Sequence, residues 1–178
     1  WENAIAKVSY KFVLFAGDDK LFMEIKLKPK KKISDIEIRL QDYVSGFNRN
    51  PEDVISTSTG QINKKGWQNF DPNQENYIFY ADKTLDPADN PKAEGPSAVA
   101  FGNSNIESLK VYLGGYGVST LLKYKPGSKR IFFVFWEFPK KPNKEALEYF
   151  KNAVPQALKI MNTPGTFLSK VKAGMSNR

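Results

Sequence analysis

The chain has 178 residues, 40% of them hydrophobic and 13% aromatic, so it can bury a core as a single domain. It contains no cysteine and no histidine, which excludes disulfides, zinc–thiolate sites, Ser-His-Asp triads and imidazole metal sites. Its 27 Lys and Arg exceed its 19 Asp and Glu, and the net charge of +8 favours anionic partners. No apolar run reaches the roughly 18 residues that cross a bilayer.

Apolar residues at every second position predict three strands in the first quarter of the chain, at 8–15, 20–28 and 35–41. A lysine-rich turn separates the second strand from the third, and Gly17 with two aspartates forms the turn after the first. In the first of these strands one face carries Val8, Tyr10, Phe12 and Leu14.

Further strands are predicted at 77–80, 108–113, 118–125 and 131–138. The last of these is apolar on both faces, which predicts a central strand covered on both sides. A Pro-, Asp- and Asn-rich stretch at 85–96 predicts a long loop. Two more strand segments are predicted: a short strand at 54–58 and a strand edge anchored by Trp67 and Phe70.

After Pro142 the apolar period becomes helical, and Asn143 can cap the helix. Pro155 predicts either a kink or two short helices, and Thr163-Pro164 could open a last short helix through residue 172. The predicted fold is therefore mainly β. It is an antiparallel β-sandwich of the jelly-roll type at 1–142, with a helical C-terminal extension at 143–178 packed on the domain or on a partner.

Two groups of residues are candidates for binding. The aromatic side chains offer flat faces for stacking on sugars or bases, although alternate aromatics in strands usually point into the core. The lysines of the turn after the second strand can hold phosphate or sulfate groups, although such a cluster is usually a solvated turn that discourages edge pairing. The candidates are Trp67, Tyr77, Tyr80 and Tyr116 for stacking, and Lys28, Lys30, Lys31 and Lys32 for anions.

Features that suggest chemistry are incomplete. Glu24 and Lys26 share a strand face, as in the acidic-x-Lys element of metal-dependent nucleases, but the acidic residue expected farther upstream is missing. The glycines at 114–117 lack the strand–loop–helix context of a phosphate-binding loop. No loop has calcium spacing, although oxygen ligands are offered by Asp18, Asp19, Asp42, Asp86 and Asp89. We therefore expect no catalytic residues, no metal and no cofactor.

Several short segments resemble the spirochaete periplasmic flagellar filament outer-layer (sheath) family. They are the strand 35–42, the loop residues 59–62, the Gly-Trp segment 66–70, Pro72 and residues 77–78. The resemblance covers about 45 residues and is shared with carbohydrate-binding jelly rolls. It implies an exported jelly-roll subunit that coats a filament through protein contacts, without catalytic residues.

The sequence thus predicts a non-catalytic, exported structural or interaction subunit whose partners are other protein subunits, with a flagellar filament sheath component as its most specific form. The alternative is a β-sandwich module that binds carbohydrates or polyanions, such as acidic glycans. The chain starts at Trp1 without Met, which fits either a mature product of export to the periplasm or cell surface, as expected here, or a trimmed chain. Nucleic acid is not favoured as a partner.

Overall fold

The computed structural model describes residues 1–43, 52–115, 117–163 and 169. Eleven strands and one helix are formed by these described residues. The elements are β1 (Ala6–Leu14), β2 (Lys20–Pro29), β3 (Ile36–Asp42), β4 (Asp53–Thr57), β5 (Gln61–Ile62), β6 (Gly66–Phe70), β7 (Tyr77–Asp82), β8 (Ser97–Phe101), β9 (Ile106–Leu113), β10 (Val118–Tyr124), β11 (Arg130–Glu137) and α1 (Asn143–Asn162).

The strands form two antiparallel sheets of unequal width. The wider sheet has the order β1-β2-β11-β8-β7-β4-β5, and the narrower sheet has the order β3-β10-β9-β6. Early strands pair with late ones, β2 with β11 in the wider sheet and β3 with β10 in the narrower, as in jelly rolls. The predicted mainly-β antiparallel sandwich with a C-terminal helix is confirmed.

Apolar side chains fill two layers, one on each face of the wider sheet. Between the sheets, β11 contributes Ile131 and Phe133, which meet the inner face of β9 and β10. On the outer face, Phe132, Val134 and Trp136 lie under α1. The prediction that β11 is a central strand covered on both sides is therefore confirmed.

The helix packs on the outer face of the wider sheet of its own chain. Phe150 of α1 is fully buried, and its ring lies edge-on to Tyr77 and Trp136 with centroids 5.1 and 5.0 Å apart. Pro155 is exposed within one continuous helix, so two separate helices do not form. The last helix predicted through residue 172 lies outside the described residues.

The start of α1 is held by the loop before β8 rather than by its own cap. The side chain of Asn143 makes no capping hydrogen bond, because Pro142 occupies the cap position. Instead the backbone N–H of Asn143 donates to the Asp86 carboxylate at 3.0 Å, and its side-chain amide donates to the Asp82 carbonyl. A carboxylate at this position also complements the positive end of the helix dipole. No helix of the described residues is long and apolar enough to cross a membrane.

Candidate functional site

One edge of the wider sheet projects beyond the narrower sheet. The strand β1 lies at that edge, and its inner face is left uncovered because β3 is the last strand of the facing sheet. Tyr10, Phe12 and Leu14 are consequently 54%, 59% and 64% exposed, although they share the face that points between the sheets. We call these three side chains the open face.

The N-terminal residues close one half of the outer edge of β1. The N–H of Val8 donates to the carbonyl of Trp1 at 2.8 Å, and the Trp1 amino group donates back to the Val8 carbonyl at 3.0 Å. Asn3 holds the turn between them by accepting hydrogen bonds from the N–H groups of Ile5 and Ala6. Trp1 and Ile5 are also largely exposed and extend the apolar surface beside the open face.

A groove runs between the open face and the edge of β3. Its N-terminal part has a volume of about 570 Å³ and is lined mainly by apolar side chains of β1, β2 and β3, among them Val8, Met23 and Ile38. A second part of about 460 Å³ continues past Phe12 and Leu14 toward the end of β11. Apolar surface of this extent on an edge strand is typical of a protein interaction site.

A second surface lies on the outer face of the narrower sheet. Trp67 of β6 is 48% exposed, and its ring centroid lies 5.3 Å from that of Tyr112 on β9. The Arg39 guanidinium of β3 lies 5.6 Å from the centroid of Trp67. We call Trp67, Tyr112 and Arg39 the aromatic platform; it combines flat apolar rings with a cation.

A small pocket of about 210 Å³ adjoins the platform at the β9–β10 turn. Its wall includes Gln41, Tyr43 and the turn glycines. Gly117 allows the turn to approach β3, because a Cβ there would lie 2.4 Å from the Asp42 carbonyl oxygen. The sequence prediction singled out Trp67, whereas Arg39 was missed because its contact with the ring crosses the whole sheet.

The predicted stacking residues are not brought together by the fold. Tyr77 is buried under α1 against Phe150, and Tyr80 is buried between the sheets, where its hydroxyl bonds that of Thr120 at 2.7 Å. Burial raises the pKa of the Tyr80 phenol far above its usual value. Neither ring offers a face to a ligand, and Tyr116 lies outside the described residues.

The predicted lysine cluster is exposed, and one member holds the N-terminal turn. Lys30 contacts Glu2 at 2.5 Å and donates to the Asn3 carbonyl at 3.0 Å, while its backbone N–H donates to Ile5. Lys28 lies opposite Lys7 in the β1–β2 pairing. The exposed side chains of Lys31 and Lys32 carry positive charge into the connection between β2 and β3.

The Glu24 carboxylate belongs to a buried ion pair. It accepts a hydrogen bond from Arg130 and lies 3.2 Å from Lys26, although it is only 4% exposed. Burial opposes its ionisation, but the bonds and charges of Arg130 and Lys26 hold its pKa below the usual value. This role in packing β2, β11 and α1 explains Glu24 without nuclease chemistry.

A pair of carboxyl groups, which local sequence patterns do not predict, lies in a cleft of about 190 Å³ between the sheets. Ser97 donates a hydrogen bond to Asp42, whose pKa is raised because it is buried. Burial, followed by the charge of Asp42, raises the pKa of Glu137 to about 7. Within the described part of the chain, no group of three or more acidic side chains could hold a metal ion.

The sequence matches no protein-family model and no curated protein. Function is therefore inferred from the geometry of the surfaces. The open face offers apolar contact area with an adjoining groove, and the aromatic platform offers stacking with a cation. Both arrangements are suited to binding.

Proposed function

We propose that the chain is a non-catalytic structural or interaction subunit that binds another protein through the open face. The observation that carries the proposal is the exposure of Tyr10, Phe12 and Leu14, three large side chains on one face of an edge strand. Edge strands usually carry charges or bulges that prevent association. An open apolar face on an edge strand, with a groove beside it, is best explained by a partner that covers the face.

The energetics support a protein partner over a small ligand. Burial of apolar surface contributes about 25 cal/mol per Å², and large aromatic and aliphatic side chains bring the most area. The open face continues into Trp1 and Ile5, so the exposed surface extends along most of β1. A contact of this length and apolar character resembles the core of a protein interface.

We further propose that this subunit acts in an exported assembly, in the periplasm or at the cell surface. The support is the resemblance of residues 35–42 and 66–70 to the flagellar sheath family, together with the net charge of +8, which suits packing on an acidic neighbour. A filament sheath is the most specific form of this proposal.

Site-specific photo-crosslinking in the cells that produce the protein tests the interaction role. Phe12 is replaced by benzoylphenylalanine, and the same residue at Tyr149, an exposed aromatic position on α1, serves as the matched control. We expect a discrete covalent adduct with one protein from position 12 and none from position 149. Absence of an adduct at position 12, or equal adducts at both, would contradict the proposal.

A second candidate function, binding of acidic glycans, is favoured by the aromatic platform. The rings of Trp67 and Tyr112 can stack on sugar faces, and Arg39 with the exposed Lys110 can meet carboxylate or sulfate groups. Titration with heparin and with a neutral glucan tests this function. Binding of heparin that Trp67→Ala removes supports it; binding that the substitution leaves unchanged does not.

A further inference from the structure

The hydrogen-bond pattern of the narrower sheet can be followed from its hairpin. Gly114 donates to the carbonyl of Gly117 at 3.0 Å, so these two residues form a hydrogen-bonded pair. Antiparallel ladders alternate between bonded and non-bonded pairs. Ser119 and Leu121 therefore turn their backbone groups toward β9, and the alternate residues Thr120 and Leu122 turn theirs toward β3.

The same alternation fixes the direction of the backbone groups of β3. Thr120 lies opposite Leu40, and Leu122 lies opposite Ile38, so these pairs exchange the bonds between β10 and β3. The intervening residues of β3 point their N–H and C=O groups away from the sheet. No backbone hydrogen bond between described residues occupies these groups, which belong to Glu37, Arg39 and Gln41.

The space beside that edge has the dimensions of a strand. A strand paired with β3 would lie about 4.8 Å from it and about 10 Å above the wider sheet. At that place the wider sheet presents Val8 and the open face, with the groove between. The side chains of an added strand would alternate, one set covering the open face and the other facing solvent.

The charges around the groove define the chemistry of the added strand. Lys31 and Lys32 lie where β2 joins β3, next to Ile33, which lines the groove. The Arg39 guanidinium extends across the sheet to Trp67, and Asp35, which also lines the groove, lies 3.0 Å from Lys123, so the carboxylate of Glu37 remains on the free strand. Acidic residues would suit the lysine end, whereas a neutral residue would suit the place opposite Glu37.

A second copy of the chain does not fit this edge. Antiparallel pairing of β3 with another β3 requires a twofold axis perpendicular to the sheet, which places both wider sheets on the same side. Each wider sheet already projects past its own β3, because β1 is uncovered there. The two projecting β1 strands would then occupy the same space.

We propose that an extended, acidic segment of a partner protein, with apolar residues at every second position, adds to β3 as a fifth strand and covers the open face. This inference rests on the proposed interaction function and specifies its binding mode. Strand addition joins backbone bonds to Glu37, Arg39 and Gln41 with burial of Tyr10, Phe12 and Leu14.

Binding of a labelled peptide to the purified chain tests the mode. The probe has nine residues, with valine or isoleucine at alternate positions and glutamate and threonine between them. We expect loss of binding when alternate amides are N-methylated, and weakening of about tenfold when the apolar residues are scrambled or the glutamates become lysines. Amide exchange at Glu37, Arg39 and Gln41 should slow on binding.

A proline on the free edge gives the matching change in the protein. Glu37→Pro removes an N–H that points away from β10, so the sheet keeps its bonds, and edge strands tolerate such prolines. We expect Glu37→Pro to weaken peptide binding about tenfold, whereas Glu37→Ala, which keeps the N–H, should not weaken it. A thermal melt shows whether both variants fold. If Glu37→Pro does not fold, the N-methylated peptide still tests strand addition on the unmodified protein.

The outcomes separate this mode from the interaction function itself. If the N-methylated peptide binds as tightly as the unmodified peptide, strand addition is overturned, but the open face remains a docking surface. If the peptide with lysines in place of glutamates binds as tightly as the original, the proposed acidic character of the partner is overturned. Absence of binding by every peptide, or self-association through β3, also overturns the inference. Failure of the interaction function appears separately, as the absence of a crosslink at position 12.

Discussion

Arg130 donates a hydrogen bond from Nη1 to the carbonyl oxygen of Met161 at 2.8 Å and thereby joins the start of β11 to the last turn of α1. The same guanidinium donates from Nε to Glu24 of β2. One cation therefore fixes two strands and the helix terminus, where a positive charge also complements the helix dipole.

Replacing Glu24 by Gln should lower the free energy of unfolding by about 1–3 kcal/mol at pH 7, because Arg130 keeps its burial but loses its counter-charge. The pKa of Glu24 is lowered in the folded state, so its contribution is present above its unfolded value and is lost as pH falls through the folded value. Urea unfolding at pH 7 and at about pH 3 should show a smaller difference at the lower pH. Glu148→Gln, at an exposed helix position, is the control and should show none.

Replacing Pro155 by Ala should raise the free energy of unfolding by about 1–3 kcal/mol. Proline inside a helix removes one backbone hydrogen bond, and Pro155 is exposed, so alanine would restore the bond without leaving a cavity. Thermal unfolding followed by circular dichroism measures the change. Gln156→Ala, at the next exposed position, should have little effect, and an equal or lower stability of Pro155→Ala would contradict the prediction.

Replacing Glu137 by Gln should stabilise the fold above pH 7. The folded pKa of about 7 lies above the usual 4.5, so the folded state holds a proton that the unfolded state has released between these values. Wild-type stability should therefore fall as pH rises from 4.5 to 7. Solvent screening at the mouth of the cleft limits the gain of the variant to about 1 kcal/mol. Unfolding at pH 5 and pH 8 should show the gain only at pH 8.

Replacing Trp67 by Ala should change the free energy of unfolding by less than about 1 kcal/mol, since the ring is half exposed and lies on the outer face. A matched substitution at Trp136, which is fully buried, should cost about 3–5 kcal/mol. Denaturant unfolding of both variants distinguishes a surface platform from a core residue. A comparable loss at both positions would contradict the surface placement of Trp67.

The periodic part of the fold follows from the sequence. Alternation at 20–28 predicts β2 with Ile25 inward, and the apolar run at 131–138 predicts the central strand β11. The strand β8 was not predicted, because Ser97–Phe101 is short and its small residues are buried on both faces without a period. Strands of this kind are recognised only by their neighbours, here β7 and β11.

The candidate surfaces depend on tertiary features that local patterns do not contain. Tyr10 and Tyr80 both alternate in strands, yet Tyr10 is exposed and Tyr80 is buried. The difference arises because the narrower sheet covers β7 but ends before β1. Alternation predicts that a face is shared; the width of the opposite sheet decides whether that face is covered.

Hydroxyl-radical footprinting tests the central claim most directly, because it needs neither a variant nor a known partner. The oxidation rates of Trp1, Tyr10 and Phe12 are compared between the purified chain and the chain in its native cellular fraction, with Tyr149 as the internal control. We predict fast oxidation of all four in the purified chain, and protection of the first three alone in the native fraction. Equal rates in both samples would show that the open face has no partner and would contradict the account.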